Sequence, residues 1–383
     1  MTSIDPIPGP AGDICITALG MATALAPSLV DSCAAFRAGL TRTSAISTVI
    51  PDEDAALAEE PIAACRAAYL AEGYCSGAKA VLLCRIALSD LLKRRPLTDR
   101  HQERTGIVLY LSDCFLLDAV SGSPEDQDEE NALPSALWQA ECASLIPRML
   151  TGIVRIPTEN CHLSFGEHAG FAGALQIAAD MVASGQLDRC LVGAADSLLD
   201  PEFLLAGAVS GLVKTSVNPT GFVPGEAAAF ILVEKASEAR HQGARPLASF
   251  LCGPLVRGAF DRFSEEPPDG VVLARAIREL LARQPQHSDV ALVIGDLNGD
   301  EYRARNWGNA LVRLRNSHGL ADAPMWIPAL GFGETGSASG AVGLCLAARA
   351  IERGHLGRGA ALTWLSDESG AGAAIMIMSE HEA

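Results

Sequence analysis
The chain has 383 residues, a formal net charge of −17 and a sequence pI near 4.9, with 49% hydrophobic and 20% charged residues. So acidic a balance disfavours nucleic acid and anionic lipid surfaces, both held through clustered Lys and Arg, and the hydrophobic content excludes a disordered or fibrous chain. The 11 cysteines show no CxxC or CxxC…HxxxH spacing, so neither a zinc site nor a disulfide framework is signalled, no cofactor is implied, and reduced thiols place the protein in the cytoplasm. A signal-peptide pattern and an apolar run of about 18 residues are both absent, so no membrane segment is expected.

In chain order, the apolar run ICITALG (14–20) predicts a buried strand, and helical periodicity covers 78–93. GIVLYLS (106–112) predicts a second strand, and SGSPEDQDEENAL (121–133), acidic and without periodicity, an exposed loop. A helix follows at 173–184, with Leu175, Ile177, Ala178 and Val182 spaced for one face. Strands are predicted at CLVGAAD (190–196), AAFILVE (228–234), ALVIGDL (291–297) and AAIMIMS (373–379), with another helix at 343–353. Strands alternating with helices imply α/β layers.

One internal echo carries more. SGQLDR (184–189) and RGHLGR (353–358) each end a helix and lead into a strand, with Gly185 and Gly354 spaced 169 residues apart. A turn rich in small residues precedes each helix, GEHAG (166–170) and GETGSASG (333–340). Small residues there let the helix start pack closely and leave backbone N–H groups pointing into a cleft. The expectation is two duplicated halves, 1–245 and 246–383, in one interlocked unit with their site edges face to face.

With these motifs in order, the chain resembles the β-ketoacyl-acyl-carrier-protein synthases of the thiolase superfamily over nearly its whole length. ICITALGMATALAPSLVDSCAAFRAG (14–39) is similar to that family's opening strand, turn and helix. GFVPGEAAAFILVEKASEARHQGARPLA (221–248) resembles its mid-chain signature, and GFGETGSASGAVGLCLAARAIERG (331–354) its late segment. The resemblance implies a thiolase fold, two duplicated halves in a five-layered α-β-α-β-α arrangement. It also implies a two-fold dimer, homodimeric or with a related ketosynthase, paired near residues 186–197.

Carried over residue by residue, the family's nucleophilic Cys position falls on His168, its first catalytic His on Asn298 in NGD (298–300), and its second on Glu334. The usual Lys is replaced by Ala329, and the gating loop near the end becomes DESGAG (367–372). The nearest thiol, Cys161, lies seven residues before His168 and matches no catalytic position. A decarboxylating condensation needs a thiolate to carry the acyl group and two imidazoles to donate to the enolate oxygen, so ordinary ketosynthase activity is not expected.

Two functions remain open. One is a non-catalytic partner of a synthase, similar to a chain-length factor, with His168 and Glu334 paired in a dead pocket. The other is an acyltransferase or condensing enzyme with a rebuilt site: Glu334 orients His168, His168 acts as general base, kept unprotonated by the helix dipole, and Asn298 donates to an oxyanion. Both take an acyl-carrier protein or acyl-coenzyme A as partner, and a basic patch at Lys93, Arg94, Arg95 and Arg100 offers a place to dock an acidic carrier. Glu226 is expected to be a structural carboxylate, His162 and Ser164 turn residues, and residues 301–305 a solvated loop or a site wall.

Overall fold
The computed structural model describes residues 13–51, 57–70, 73–74, 76–97, 99–121, 134–284, 289–315, 319–357 and 359–379. The acidic loop expected at 121–133 lies, beyond Ser121, outside them, as does Arg358 of the second echo. The first elements are β1 (Ile14–Thr23), α1 (Leu29–Arg37), the hairpin β2 (Ser44–Pro51) and β3 (Leu57–Ala64), and α2 (Ser76–Arg94). Next come β4 (Thr105–Leu111), α3 (Phe115–Val120), α4 (Pro134–Val154), β5 (Cys161–Phe165), α5 (Phe171–Ala183), β6 (Arg189–Ser197), α6 (Pro201–Val209) and β7 (Glu226–Lys235). The chain continues with α7 (Ala236–His241), β8 (Ala248–Cys252), β9 (Val256–Arg257), α8 (Val271–Ala282), β10 (Val290–Ile294) and α9 (Glu301–Leu314). It closes with β11 (Met325–Trp326), α10 (Ala329–Phe332), α11 (Ser339–Glu352), β12 (Ala360–Ser366) and β13 (Ala371–Met378).

The strand order runs β5-β4-β6-β7-β1 and then, in mirror sequence, β8-β13-β12-β10-β11. From the outer edge, each set is made of its third, second, fourth, fifth and first strand, and both are parallel at the outer pairs and antiparallel at the inner ones. The sets meet where β1 pairs with β8 through Cys15–Ser249 and Ile16–Ala248. The duplication read from the echo is therefore a duplication of topology.

Side-chain alternation then builds the layers, since successive strand residues face opposite sides. Val108 and Tyr110 of β4, Val192 of β6, Ile231 of β7 and Ile375 of β13 face a central layer holding α5 and α11. Ile107 and Leu109 of β4 and Leu191 of β6 face outward onto α2 and α4. Leu362 and Trp364 of β12 and Met376 of β13 pack against α8 and α9 on the other outside. Helix, sheet, helix, sheet, helix makes five layers, the thiolase-type arrangement that the resemblance implied. In the central layer α11 is buried nearly all round, which explains why SGAVGLCLAARAIE is apolar and small on every face.

The small residues at the two helix starts have a steric cause. A Cβ on Gly340 would come within 2.7 Å of the Phe171 side chain, so α5 and α11 cross closely only without one. β6 does not form the dimer edge expected at 186–197: it is buried and paired with β4 on one side and β7 on the other. The outer strand of this set is β5, which carries His162 and Ser164 in a ladder with β4 rather than in a turn. Phe171, fully buried between the central helices, tests this packing: Phe171→Ala should cost about 3–5 kcal/mol in chemical denaturation, and a loss under about 1 kcal/mol would mean the helices do not meet there.

Candidate functional site
β5 ends in the turn 166–170, which delivers His168 to the N-terminal end of α5. The turn is drawn tight over Tyr110, whose hydroxyl donates to the Glu167 carbonyl at 2.6 Å and would meet a Cβ on Gly166 or Gly170 at 2.2 or 2.0 Å. The equivalent turn of the second set brings Glu334, 3% exposed, opposite His168, 5% exposed. His168 Nε2 lies 3.4 Å from Glu334 Oε1, and Asn298 Nδ2 donates to Glu334 Oε2 at 2.6 Å. The structure thus brings together the three residues carried over from the sequence.

Three further residues complete the cluster. Asp296, after β10, takes His168 Nδ1 at 3.0 Å, closer than Glu334 takes the other nitrogen. Arg303, only 2% exposed, enters from the first turn of α9; its Nη1 donates to Glu334 Oε2 at 3.0 Å and its Nη2 to both oxygens of Glu368 at 2.7 and 2.8 Å. The 301–305 segment is therefore a helix start that walls the site, with Arg303 as its buried member. Asp300 caps that helix by accepting from the Arg303 N–H and pairs with Arg262. The Arg303 guanidinium also lies 3.4 Å from His168 Nδ1, but a nitrogen donating to Asp296 has no lone pair to accept, so this is proximity and no hydrogen bond.

The electrostatics follow from these distances. Burial opposes charge on His168, yet Asp296 and Glu334 outweigh it and raise the imidazole to about 10. Burial likewise resists charge on Glu334, and His168, Arg303 and the Asn298 amide overcome it, so the carboxyl sits below its usual range. The general base expected at His168 is thus a protonated ring. The helix dipole, worth about half a charge, is outweighed by two carboxylates in contact with the ring. One N–H of the Asn298 amide is taken by Glu334, and its oxygen accepts from the Asp300 N–H at 3.0 Å. Asp196 is pushed up to about 6 and Asp367 to about 7, both by burial. A cavity of about 40 Å³ borders His168, Glu334 and Arg303, room for a water or two.

Sequence reasoning missed Asp296, Arg303 and Glu368. Arg303 had a signal: with Trp307, Ala310 and Leu314 it forms the buried face of α9 at helical spacing, an Arg where an apolar residue belongs. Cys161 packs instead against the outer core beside α4, its thiol pushed up to about 11 by burial. Glu226 accepts from the Ala67 N–H and the Ser197 hydroxyl and pairs with Lys79, as a structural carboxylate does. Ala329 begins α10 and brings no amine to the cluster. Among the described residues no group of three or more His, Cys, Asp and Glu is placed to hold a metal, and no helix is long and apolar enough to cross a membrane.

Removing Arg303 strands its carboxylates in the interior, so Arg303→Ala should cost about 3–5 kcal/mol, against under about 1 kcal/mol for an ornamental ion pair. Folded His168 keeps its proton up to about pH 10, whereas an unfolded imidazole loses it near 6.5. Its stabilisation is therefore complete below about pH 6.5 and is lost as pH rises through 10. Denaturation midpoints between pH 6 and 10 should fall for the native chain and fall less steeply for His168→Gln; equal slopes would show that the ring is not charged.

No family model matches the sequence, and no curated protein matches it. Solved structures do. A type II polyketide-synthase acyl-carrier protein in complex with its ketosynthase bound to the hexaketide is similar with a TM-score of 0.75 and 16% identity, covering 97% of this chain and 100% of that one. The ishigamide ketosynthase/chain length factor gives 0.72 and 17%, covering 97% and 100%. A β-ketoacyl synthase from Burkholderia phymatum STM815 gives 0.66 and 18%, covering 96% and 99%. Likeness at this level of identity establishes architecture, and the chain accordingly has the thiolase-type fold of the β-ketoacyl synthases.

Proposed function
We propose that this chain is a non-catalytic, chain-length-factor-like partner of a ketosynthase in fatty acid or polyketide-type acyl metabolism. The observation that carries the reading is a carboxylate at each nitrogen of the His168 imidazole, the residue that the sequence resemblance aligns with the family's nucleophile. A ring so held has no lone pair with which to attack a thioester or take a proton. The rebuilt acyltransferase site loses its base and one of its Asn298 donors to the same cluster, so it is the weaker reading.

The beta-ketoacyl-synthase structures that share the fold support the setting, since one is a carrier protein bound to its ketosynthase and another a ketosynthase/chain length factor. An adjoining cavity of about 290 Å³, walled by Leu117, Leu137, Trp138 and Phe203, shares Ser112 and Asp196 with the elbow cavity and gives such a partner a space to shape. The basic patch expected at 93–100 is a poorer dock for a carrier than its composition promised: Arg94 pairs with Asp90, Arg95 with Glu234, and the Arg100 side chain lies outside the described ones.

Pairing with a second synthase-like chain would run through β5, whose outer edge has no described strand beside it, and the exposed Leu145 and Met149 of the neighbouring α4. Incubation with acyl-coenzyme A or acyl-carrier protein should leave the intact mass unchanged, and an acyl adduct on His168 or Cys161 would overturn the reading. Sedimentation at micromolar concentration should show a dimer, alone or with a Cys-bearing synthase, that Leu145→Glu with Met149→Glu dissociates; a monomer under all conditions would remove the partner role.

A further inference from the structure
The cavity of about 290 Å³ beside the elbow is the roomiest described, and its size reaches the lower end of small-molecule sites, near about 300 Å³. Its apolar wall comes from separate elements: Leu117 from α3, Trp138 from α4, Leu198 after β6 and Phe203 from α6. The Trp138 ring is held in place by its N–H, which donates to the Ser112 carbonyl at 2.8 Å. A wall assembled from helices and a strand end in this way is set by the fold, so the space exists before any ligand enters it.

The charged part of the lining has one sign. Asp196 is buried at the inner end, where it accepts from the Ser197 and Ser337 N–H groups at 2.8 Å each, and half-buried Asp200 follows it. Glu202, in the first turn of α6, and Glu141 of α4 are exposed and stand toward the mouth. Glu141 reaches across to the start of α2, where a Cβ on Gly77 would meet its Oε1 at 2.8 Å. Among the described residues that line the cavity there is no Lys, Arg or His. A carboxylate ligand would therefore meet like charge with no partner, and an uncharged one would strip water from the acids and return nothing. A positive charge carried on an apolar body matches both parts of the lining.

We propose that this cavity binds an organic amine, with its ammonium among Asp196, Asp200, Glu141 and Glu202 and its hydrocarbon body against Leu117, Trp138 and Phe203. Aromatic walls suit such a ligand twice over, since they take up methylene groups and attract an alkylammonium through their π faces. The assignment goes beyond the partner role and does not depend on it: sedimentation and intact mass test that role, whereas the amine is read by binding to the chain alone.

Calorimetric titration of the full chain with hexylamine, hexanol and hexanoate, in about 0.15 M salt to screen the diffuse pull of its net charge of −17, separates these chemistries. Hexylamine, cationic at neutral pH, should saturate one site per chain about tenfold or more tighter than hexanol, and hexanoate should not bind. Glu141→Gln with Glu202→Gln changes two exposed side chains that the fold tolerates, and should weaken hexylamine about tenfold while leaving hexanol unchanged. The indole N–H resonance of Trp138 should move as hexylamine is added, and that of Trp326, on the far strand set, should not. Hexanol or hexanoate binding as tightly as hexylamine, an unchanged affinity in the double variant, or a Trp138 signal that stays in place would overturn the proposal.

Discussion

A charged side chain costs several kcal/mol to take out of water, and Arg303 is almost entirely out of it. Its place is fixed by its helix: Trp307, one turn further along α9, stacks on Trp364 of β12 with ring centroids 4.6 Å apart and planes at 11°. With the helix so anchored and capped by Asp300, the guanidinium lands between the two site turns. Two of the three carboxylates around it have a backbone donor of their own, Glu334 the Gly336 N–H at 2.9 Å and Asp296 the Ser366 N–H at 3.0 Å. The charges of the cluster are paired, His168 with Asp296 and Glu334 and Arg303 with Glu334 and Glu368, the condition under which buried charge is tolerated.

That pairing decides what the fold can do at this position. A reactive centre keeps a lone pair, a thiolate or an unspent donor pointing at a substrate, and here such groups are turned on one another. His168 adds a second cation beside Arg303 and is admitted only because Asp296 and Glu334 flank it. The volume left over is small. The larger free space lies next to it, beneath α3 and α4, where its walls are mostly apolar. The two strand sets thus supply one turn each to the ion cluster, and the larger cavity lies beside it.

The six expected strands and three expected helices were legible because each is apolar along its length or on one face, and each packs that surface against a layer of the core. β5 was not, although CHLSF alternates and packs Cys161, Leu163 and Phe165 on the outer core, since it is a five-residue edge strand with every residue only half-buried. α4 escaped because Pro147 interrupts its pattern, and the strand pair β2 and β3 because it lies off the main sheet. His168, Asn298 and Glu334 were reached through motif order, and the turn geometry does bring them together. Their protonation was not legible, because it depends on Asp296 and on Arg303, which lie in segments whose contacts only the fold creates. In residues 301–305 alternating charge reads equally as a solvated loop or a site wall, and only Arg303 of those charges is buried.

The charge state of His168 is the point on which the account turns, and nitrogen-15 NMR of its imidazole measures it without a substrate. Between pH 7 and pH 8 the ring is expected to be an imidazolium, with protons on both Nδ1 and Nε2 and with couplings or exchange protection that mark its contacts with carboxylates. A neutral ring in that range, carrying one proton and one free lone pair, would contradict it and return His168 to the list of working bases.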